Sequence, residues 1–314
     1  MSRYETKPFR TGRIHTTPLG KRQSKVSVRD FGRAPSGSQE MAGFVDCLPD
    51  ILAGKQFKEL IRSICRAKKR NKPILFACGA HVIKVGLSPV LIDLMKNGWV
   101  TAAVLNGAGI IHDFEVAFAG HTSEDVSVQL KDGRFGMAQE TGDFLNQVIN
   151  AAGMDVGLGE AVSKAIFESD PPFKDQSLLA AAYERNIPVT VHVGIGTDTI
   201  HMHPEAEGAA VGRLSLRDFL LLCSLVKNLD DGGVFLNIGS AVLLPEVFLK
   251  AVSLIRNQGN RCQGFTTAVF DFNQHYRPFQ NVVKRPPGEK GRGFYFVGHH
   301  EIMIPLLAAA LKSS

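Results

Sequence analysis

The chain has 314 residues, 44% hydrophobic and 21% charged, with a formal net charge of +6, a globular composition long enough for one large α/β domain or two small ones and not that of a disordered or fibrous chain. Five scattered cysteines, Cys47, Cys65, Cys78, Cys223 and Cys262, include no C-x-x-C pair, which argues against a disulfide framework or a cysteine-rich zinc site and for reduced thiols. No apolar run reads as a secretory signal or a membrane span, so a cytoplasmic protein is expected.

Residues 1–40 read as a basic arm. Lys7, Arg10, Arg13, Lys21, Arg22, Lys25, Arg29 and Arg33 supply much of the excess charge, and "RAPSGSQE" ends it. Its polar, Gly/Pro/Ser-rich composition cannot bury enough apolar surface to fold alone, so it is expected to be flexible or to wrap a partner. Without interleaved aromatics or a known module, nucleic-acid binding is not expected. Residues 41–314 then form a single domain.

Phe57, Leu60, Ile61 and Ile64 share one face of a helix over Phe57–Lys69. Pro73 stops it, and Ile74–Ala80 is a buried strand with a glycine turn. Leu87–Gly98 is a helix with Ser88 as N-cap, Pro89 in the first turn and Gly98 at its end. Trp99–Leu105 is a strand, the "NGAG" turn follows, and "IIHDFEVAFAG" is helical. Met137–Ala152 and Leu178–Arg185 are helices before the strand Ile187–Gly194. A helix starts at Ser215, a strand covers Gly233–Gly239, a helix begins at Pro245, a strand covers Gly264–Phe272, and "EIMIPLLAAALK" closes the chain as a helix. Continuously apolar strands alternating with helices predict a Rossmann-like α/β fold, a doubly wound and mostly parallel sheet with helices on both faces.

In such a sheet, ligands bind beyond the C-terminal ends of the strands. The turn Asn106-Gly107-Ala108-Gly109 leads straight into a helix, where free N–H groups suit phosphate, or where tight packing alone explains the glycines. His112 can titrate near neutral pH. Asp113 suits the start of the same helix through its dipole. His201 and His203 form an H-x-H pair, and "GHHE" places His299 and His300 before Glu301. These groups make a metal site if they converge, and ordinary loop histidines if they do not. Lys284 sits in the basic loop "NVVKRPPGEKGRG", either as a solvated cation or as a desolvated nucleophile.

The run "GAHVIKVGLSPVLIDLMKNGWVTAAVLNGAGIIHDFEVAFAG" resembles the early Rossmann half of deoxyhypusine synthase, and more closely its bacterial deoxyhypusine synthase-like branch. "GMAQETGDFLNQVI", "FTTAVFDFNQHYRP" and "GHHEIMIPLLAAAL" are similar to that branch too, in order, over about Lys72 to Leu311. The resemblance implies NAD as cofactor, a homotetramer with sites at subunit interfaces, and transfer of an aminobutyl group from spermidine to a lysine acceptor. It implies cofactor contacts at Gly79, Ala80, His81, Asn106, Gly107, Ala108, Gly109, Asp271 and Phe272, with the diphosphate near Gly107–Gly109. It implies polyamine contacts at Thr197 and Asp198, with His299 and Glu301 as further substrate contacts. His112, Asp198 and Lys284 are the candidate catalytic residues. The family's tryptophan–glycine–lysine run has no counterpart, and Lys284 is the nearest lysine once a short gap is allowed.

Three readings follow. The first is an NAD-dependent aminoalkyl transferase acting on a small amine or polyamine, with no metal. The second is a metal-dependent hydrolase of an amino or guanidino compound using the His-x-His and Gly-His-His-Glu residues. The third is a non-catalytic oligomeric homologue.

Overall fold

Eight strands follow one another in the computed structural model, which describes Gly12, residues 14–31, Val45 and residues 47–314. They are β1 (Ser24–Ser27), β2 (Ile74–Cys78), β3 (Ala102–Asn106), β4 (His121–Glu124), β5 (Val189–His192), β6 (Val234–Ile238), β7 (Thr266–Asp271) and β8 (Arg292–Val297). Six form one parallel sheet in the order β5-β3-β2-β6-β7-β8. Counted within the sheet this is 3-2-1-4-5-6, the dinucleotide-binding order, and the winding reverses between β2 and β6. The register aligns the strand ends: Cys78 lies beside both Leu105 and Ile238, and Asn106 beside His192.

Strands β2, β6 and β7 are buried throughout, which is why their sequences are continuously apolar. Successive side chains point to opposite faces. Ile74, Phe76 and Cys78 meet α1 (Leu52–Lys69), with α2 (His81–Lys84), α3 (Ser88–Lys96), α4 (Gly107–Ala119), α5 (Gln139–Ala151), α6 (Leu158–Glu168) and α7 (Leu178–Glu184) extending that layer. Leu75 and Ala77 meet α8 (Gly208–Lys227), α9 (Leu243–Asn257) and a π-helical turn, Phe279–Lys284. The last helix, α10 (His300–Lys312), returns to the first face. Phe57, Leu60, Ile61 and Ile64 of α1 are all buried, each such side chain contributing about 1.5–3 kcal/mol. No helix among the described residues is long and apolar enough to cross a membrane.

Three elements differ from the sequence expectation. Helix α8 begins at Gly208, not Ser215, because the Glu207 carboxylate accepts from Ala210 N at 3.0 Å. Ser215 instead bridges α8 to the end of β5, donating to Val191 O at 3.2 Å and accepting from Val193 N at 3.1 Å. Helix α6 was not expected. Its first turn is capped by buried Asp218, which accepts from Gly159 N at 2.8 Å and Val191 N at 2.7 Å.

The third difference is the arm. Lys7, Arg10, Arg13, Arg33 and "RAPSGSQE" lie outside the described residues. Residues 14–31, however, pack on their own chain. Strand β1 pairs antiparallel with β4, Ser24 opposite Glu124. Arg22 grips Glu115 with both terminal nitrogens at 2.7 Å and reaches Glu124 at 3.1 Å, all three side chains buried. Removing one partner from such a pair leaves a buried charge uncompensated. Over these residues the segment packs on its own chain.

Candidate active site

The C-terminal ends of the strands form one polar edge. At the reversal point the turns after β2 and β6 touch: Gly79 N donates to Ile238 O at 2.8 Å, and a side chain at Gly79 would run into the Gly239 carbonyl. Gly239 has φ +67°, the left-handed region, which glycine enters without steric cost. Backbone therefore lines this reversal point, where Gly79 and Ala80 lie.

Beside it three rings gather. His81 starts α2, and its ring centroid is 5.5 Å from that of His300 and 5.9 Å from that of Phe272. Burial holds His81 below its ordinary pKa, helped by His300 and Lys84. His300 is fully buried, with Nε2 3.1 Å from Phe270 O. A carbonyl only accepts, so Nε2 carries a proton, and in the neutral ring Nδ1 is the lone-pair nitrogen. That Nδ1 is buried without a partner. Within "GHHE" the inward group is thus His300, while His299 and Glu301 are exposed at the rim, 3.7 Å apart. Asp271 is buried at the end of β7, 3.8 Å from His275, and Phe272 is exposed.

The second half of the edge is the start of α4, which packs beside α2. Here the chain supplies its own anion. Asp198 accepts from Ala108 N, and a side chain at Gly107 would run into its carboxyl group. The helix N-terminus expected to receive a diphosphate therefore already receives a carboxylate. Burial pushes Asp198 up to about 6, and its Oδ2 is buried with no partner. The loop is held by His201, whose Nδ1 accepts from Gly196 N at 3.2 Å and Asp198 N at 3.4 Å. Thr197 is exposed and donates to Gly194 O at 2.7 Å. Asn106, at the end of β3, has a buried Oδ1 without a partner. Gly109 packs over Leu105, 3.2 Å from its Cβ if given a side chain.

His112 turns away from Asp198. Its Nδ1 is 2.7 Å from Thr122 Oγ1, and Thr122 donates to Glu115. Burial opposes the charge on Glu115, but the His112 ring 3.8 Å away and the hydrogen bonds from Arg22 outweigh it and hold the carboxyl well below its usual range. Asp113 does not serve its own helix. It caps α7, accepting from Ser177 Oγ at 2.5 Å, Leu178 N at 2.7 Å and Leu179 N at 3.2 Å.

Two expectations fall apart in space. Lys284 is exposed, its Nζ 4.8 Å from the Phe279 ring. Its π-helical turn runs back along the sheet to the entering end of β7, where Thr267 Oγ1 donates to Val282 O at 2.8 Å. One chain does not bring Lys284 to the strand ends. His-x-His and Gly-His-His-Glu follow β5 and β8, the two outermost strands, and no candidate metal cluster among the described residues combines them. They do not converge. His201 and His203 do not share a face either, because Thr199–Met202 is a 3-10 turn and not extended.

Asn106 Oδ1, Asp198 Oδ2 and His300 Nδ1 are all acceptors. A buried acceptor left unmade costs about 1–3 kcal/mol, so this edge matches a ligand rich in N–H and O–H donors. Sequence reasoning named Asn106 and Asp198 but chose His299 over His300; only the carbonyl of Phe270, thirty residues back, distinguishes them.

Neither a family model nor a curated protein matches the sequence. Solved structures do resemble the fold. AgrE in ternary complex with ornithine and NAD+ aligns at TM-score 0.52 and 14% identity, covering 88% of this chain and 34% of that one. Unliganded AgrE aligns at TM-score 0.54 and 14% identity, covering 88% and 33%. This chain thus spans about a third of the AgrE length, and the likeness establishes the α/β fold alone. A putative deoxyhypusine synthase from Entamoeba histolytica aligns at TM-score 0.49 and 10% identity, over 82% and 87%, too loose a likeness to bear on function.

Proposed function

We propose that this chain is an NAD-dependent enzyme acting on an amine or polyamine, and that aminoalkyl transfer is its reaction, as the resemblance to the deoxyhypusine synthase family implies. The observation that carries the reading is the unpartnered, buried Oδ2 of Asp198 at the start of α4. A carboxylate there attracts an ammonium group and repels a phosphate.

The NAD site is assigned to the crevice between β2 and β6, where the strand order reverses. Gly79, Ala80, His81, Asp271 and Phe272 would hold the cofactor, with the Gly239 turn beneath. The buried acceptor on His300 suits a donor such as a carboxamide or ribose hydroxyl. The diphosphate is placed away from Gly107–Gly109, since Asp198 fills that helix start. NAD, when bound, supplies a reversible hydride acceptor for the carbon next to the amine nitrogen.

The chain's own residues do the rest. Asp198 orients the cationic amine, with Asn106 Oδ1 as a second acceptor. His81, exposed at the edge and with its pKa lowered by desolvation, would take a proton from the ammonium so that the amine nitrogen's lone pair becomes available. The acceptor amine, a small molecule or a protein lysine, would attack the oxidised carbon directly, the leaving amine would depart with the proton, and the hydride would return to the same carbon to give the alkylated amine. Homo-oligomerisation, as a tetramer, belongs to the same proposal. Exposed Ile195, Leu216, Leu220 and Val242 beyond β5 support it, because apolar side chains grouped on a surface mark interaction sites.

The test is calorimetry of the purified full chain with NAD, followed by spermidine addition while reduced cofactor is monitored by absorbance. NAD binding with amine-dependent reduction is expected. No NAD binding with or without amine would overturn the reading.

A further inference from the structure

We infer that Asp143, His203 and Glu205 form a divalent-cation site that ties the loop carrying Asp198 to α5. One ligand atom from each lies within 4.8 Å of the others. The site is remote from His299 and Glu301 and takes no residue from the crevice.

His203 carries the argument. It is buried, and its Nε2 is 3.0 Å from Gly136 O. A carbonyl only accepts, so Nε2 carries a proton, and in the neutral ring Nδ1 is the lone-pair nitrogen. Nδ1 is buried and has no hydrogen-bond partner. An imidazole that gives its other N–H to a backbone carbonyl is in the state metal-ligating histidines adopt. Gly142 makes room for it. A side chain there would run into Nδ1, Cε1 and Cγ alike, so Gly142 lies against the face of the ring and leaves the in-plane lone pair clear.

The carboxylates come from both sides of the joint. Asp143 lies on α5 in one stripe with Asn146 and Asn150, at i, i+3 and i+7. Asn146 donates to Ile200 O at 3.0 Å and Asn150 to Glu205 O at 2.9 Å. The loop from 200 to 205 is thus docked on the stripe that carries Asp143. Among the described residues no cation pairs with either carboxylate. One imidazole and two carboxylates suit zinc or manganese, with the remaining positions left to water. Bonds of about 2.0–2.2 Å put ligand atoms roughly 3–3.5 Å apart. Half-buried Asp143 and exposed Glu205 can turn inward to meet that spacing.

The full chain, stripped with chelator and dialysed, is titrated with zinc and with manganese ions by calorimetry. Binding of one ion per chain is expected. His203→Gln, Asp143→Asn and Glu205→Gln should each weaken it at least tenfold, while His299→Gln, an exposed histidine outside the cluster, should bind as the native chain does. Thermal melting supplies a second readout. The ion should raise the native melting temperature and leave that of Glu205→Gln, whose exposed side chain the fold does not need, nearly unmoved. No binding by the native chain, or equal affinity in native and Glu205→Gln protein, would overturn the site.

Discussion

The two edges of the parallel sheet are built from similar residue types and treat them differently. At the entering edge, charges meet charges in the open. Arg70 reaches Asp231 at 2.8 Å, Arg261 reaches Asp230 at 2.8 Å and Arg292 reaches Glu59 at 3.2 Å. A recess of about 220 Å³ opens there among Arg66, Arg70, Lys290 and Arg292, yet Arg70 and Arg292 spend their charge on these surface pairs. At the leaving edge, Asn106 Oδ1, Asp198 Oδ2 and His300 Nδ1 are buried and unpartnered. Exposed pairs contribute little, about 0–1 kcal/mol, and constrain little. Orphaned buried acceptors are a standing cost that binding relieves. The contrast supports the proposal that the leaving edge, rather than the entering edge, receives the ligand.

The largest test of that contrast is Asp198→Asn. A hydrogen bond to a charged group is worth about 1.5–3 kcal/mol, so the KM for the amine should rise roughly 10- to 150-fold, with NAD affinity nearly unchanged. Asp113→Asn should do the reverse. Its carboxylate is saturated by Ser177, Leu178 and Leu179, so the melting temperature should fall while KM holds. Steady-state kinetics and thermal melts on both variants separate the two roles. Loss of stability alone in Asp198→Asn would make it one more helix cap.

The same contrast explains what the sequence could disclose. The sheet was legible because β2, β3, β6 and β7 are short apolar runs with helices between them, a pattern written locally. Partnerships across the chain were not. Asp218 caps a helix 59 residues away, Asp113 one 64 residues away, and Arg22 pairs with Glu115 across 93 residues. Each looks in sequence like an ordinary surface charge. The sequence suits Gly107 either to phosphate or to tight packing, and in the fold the Asp198 carboxyl lies against it. Asp198 itself was legible only through the resemblance, since nothing in "GIGTD" announces that its oxygen meets the start of α4.

A smaller effect is the pH profile. Asp198 is raised to about 6 by burial, so in the free enzyme it holds a proton below that value and is anionic above it. An ammonium ligand needs the anion. Amine affinity should therefore fall about tenfold per pH unit below 6 and level off above it. In Asp198→Asn this inflection should vanish from the pH dependence of kcat/KM. An inflection that survives the substitution would assign the titration to another group, His81 first.

The smallest effect is expected at the entering edge, in Lys284→Ala. A lysine must shed its charge to attack carbon, and burial is the usual means. Lys284 is exposed and ends the π-helical turn that Thr267 fastens to the entering half of β7. Its Nζ lies 4.8 Å from the Phe279 ring. Within one chain, the strand ends lie at the opposite side of the sheet. Removing the side chain should leave kcat/KM within about twofold, since an exposed substitution of this kind changes stability by less than about 0.5 kcal/mol. Borohydride trapping with labelled polyamine, followed by peptide mapping, should find no adduct on Lys284. An adduct there would reverse the assignment of the two edges: it would mean that a second copy of the chain presents its entering edge to this one's leaving edge, and that the missing nucleophile arrives across the interface.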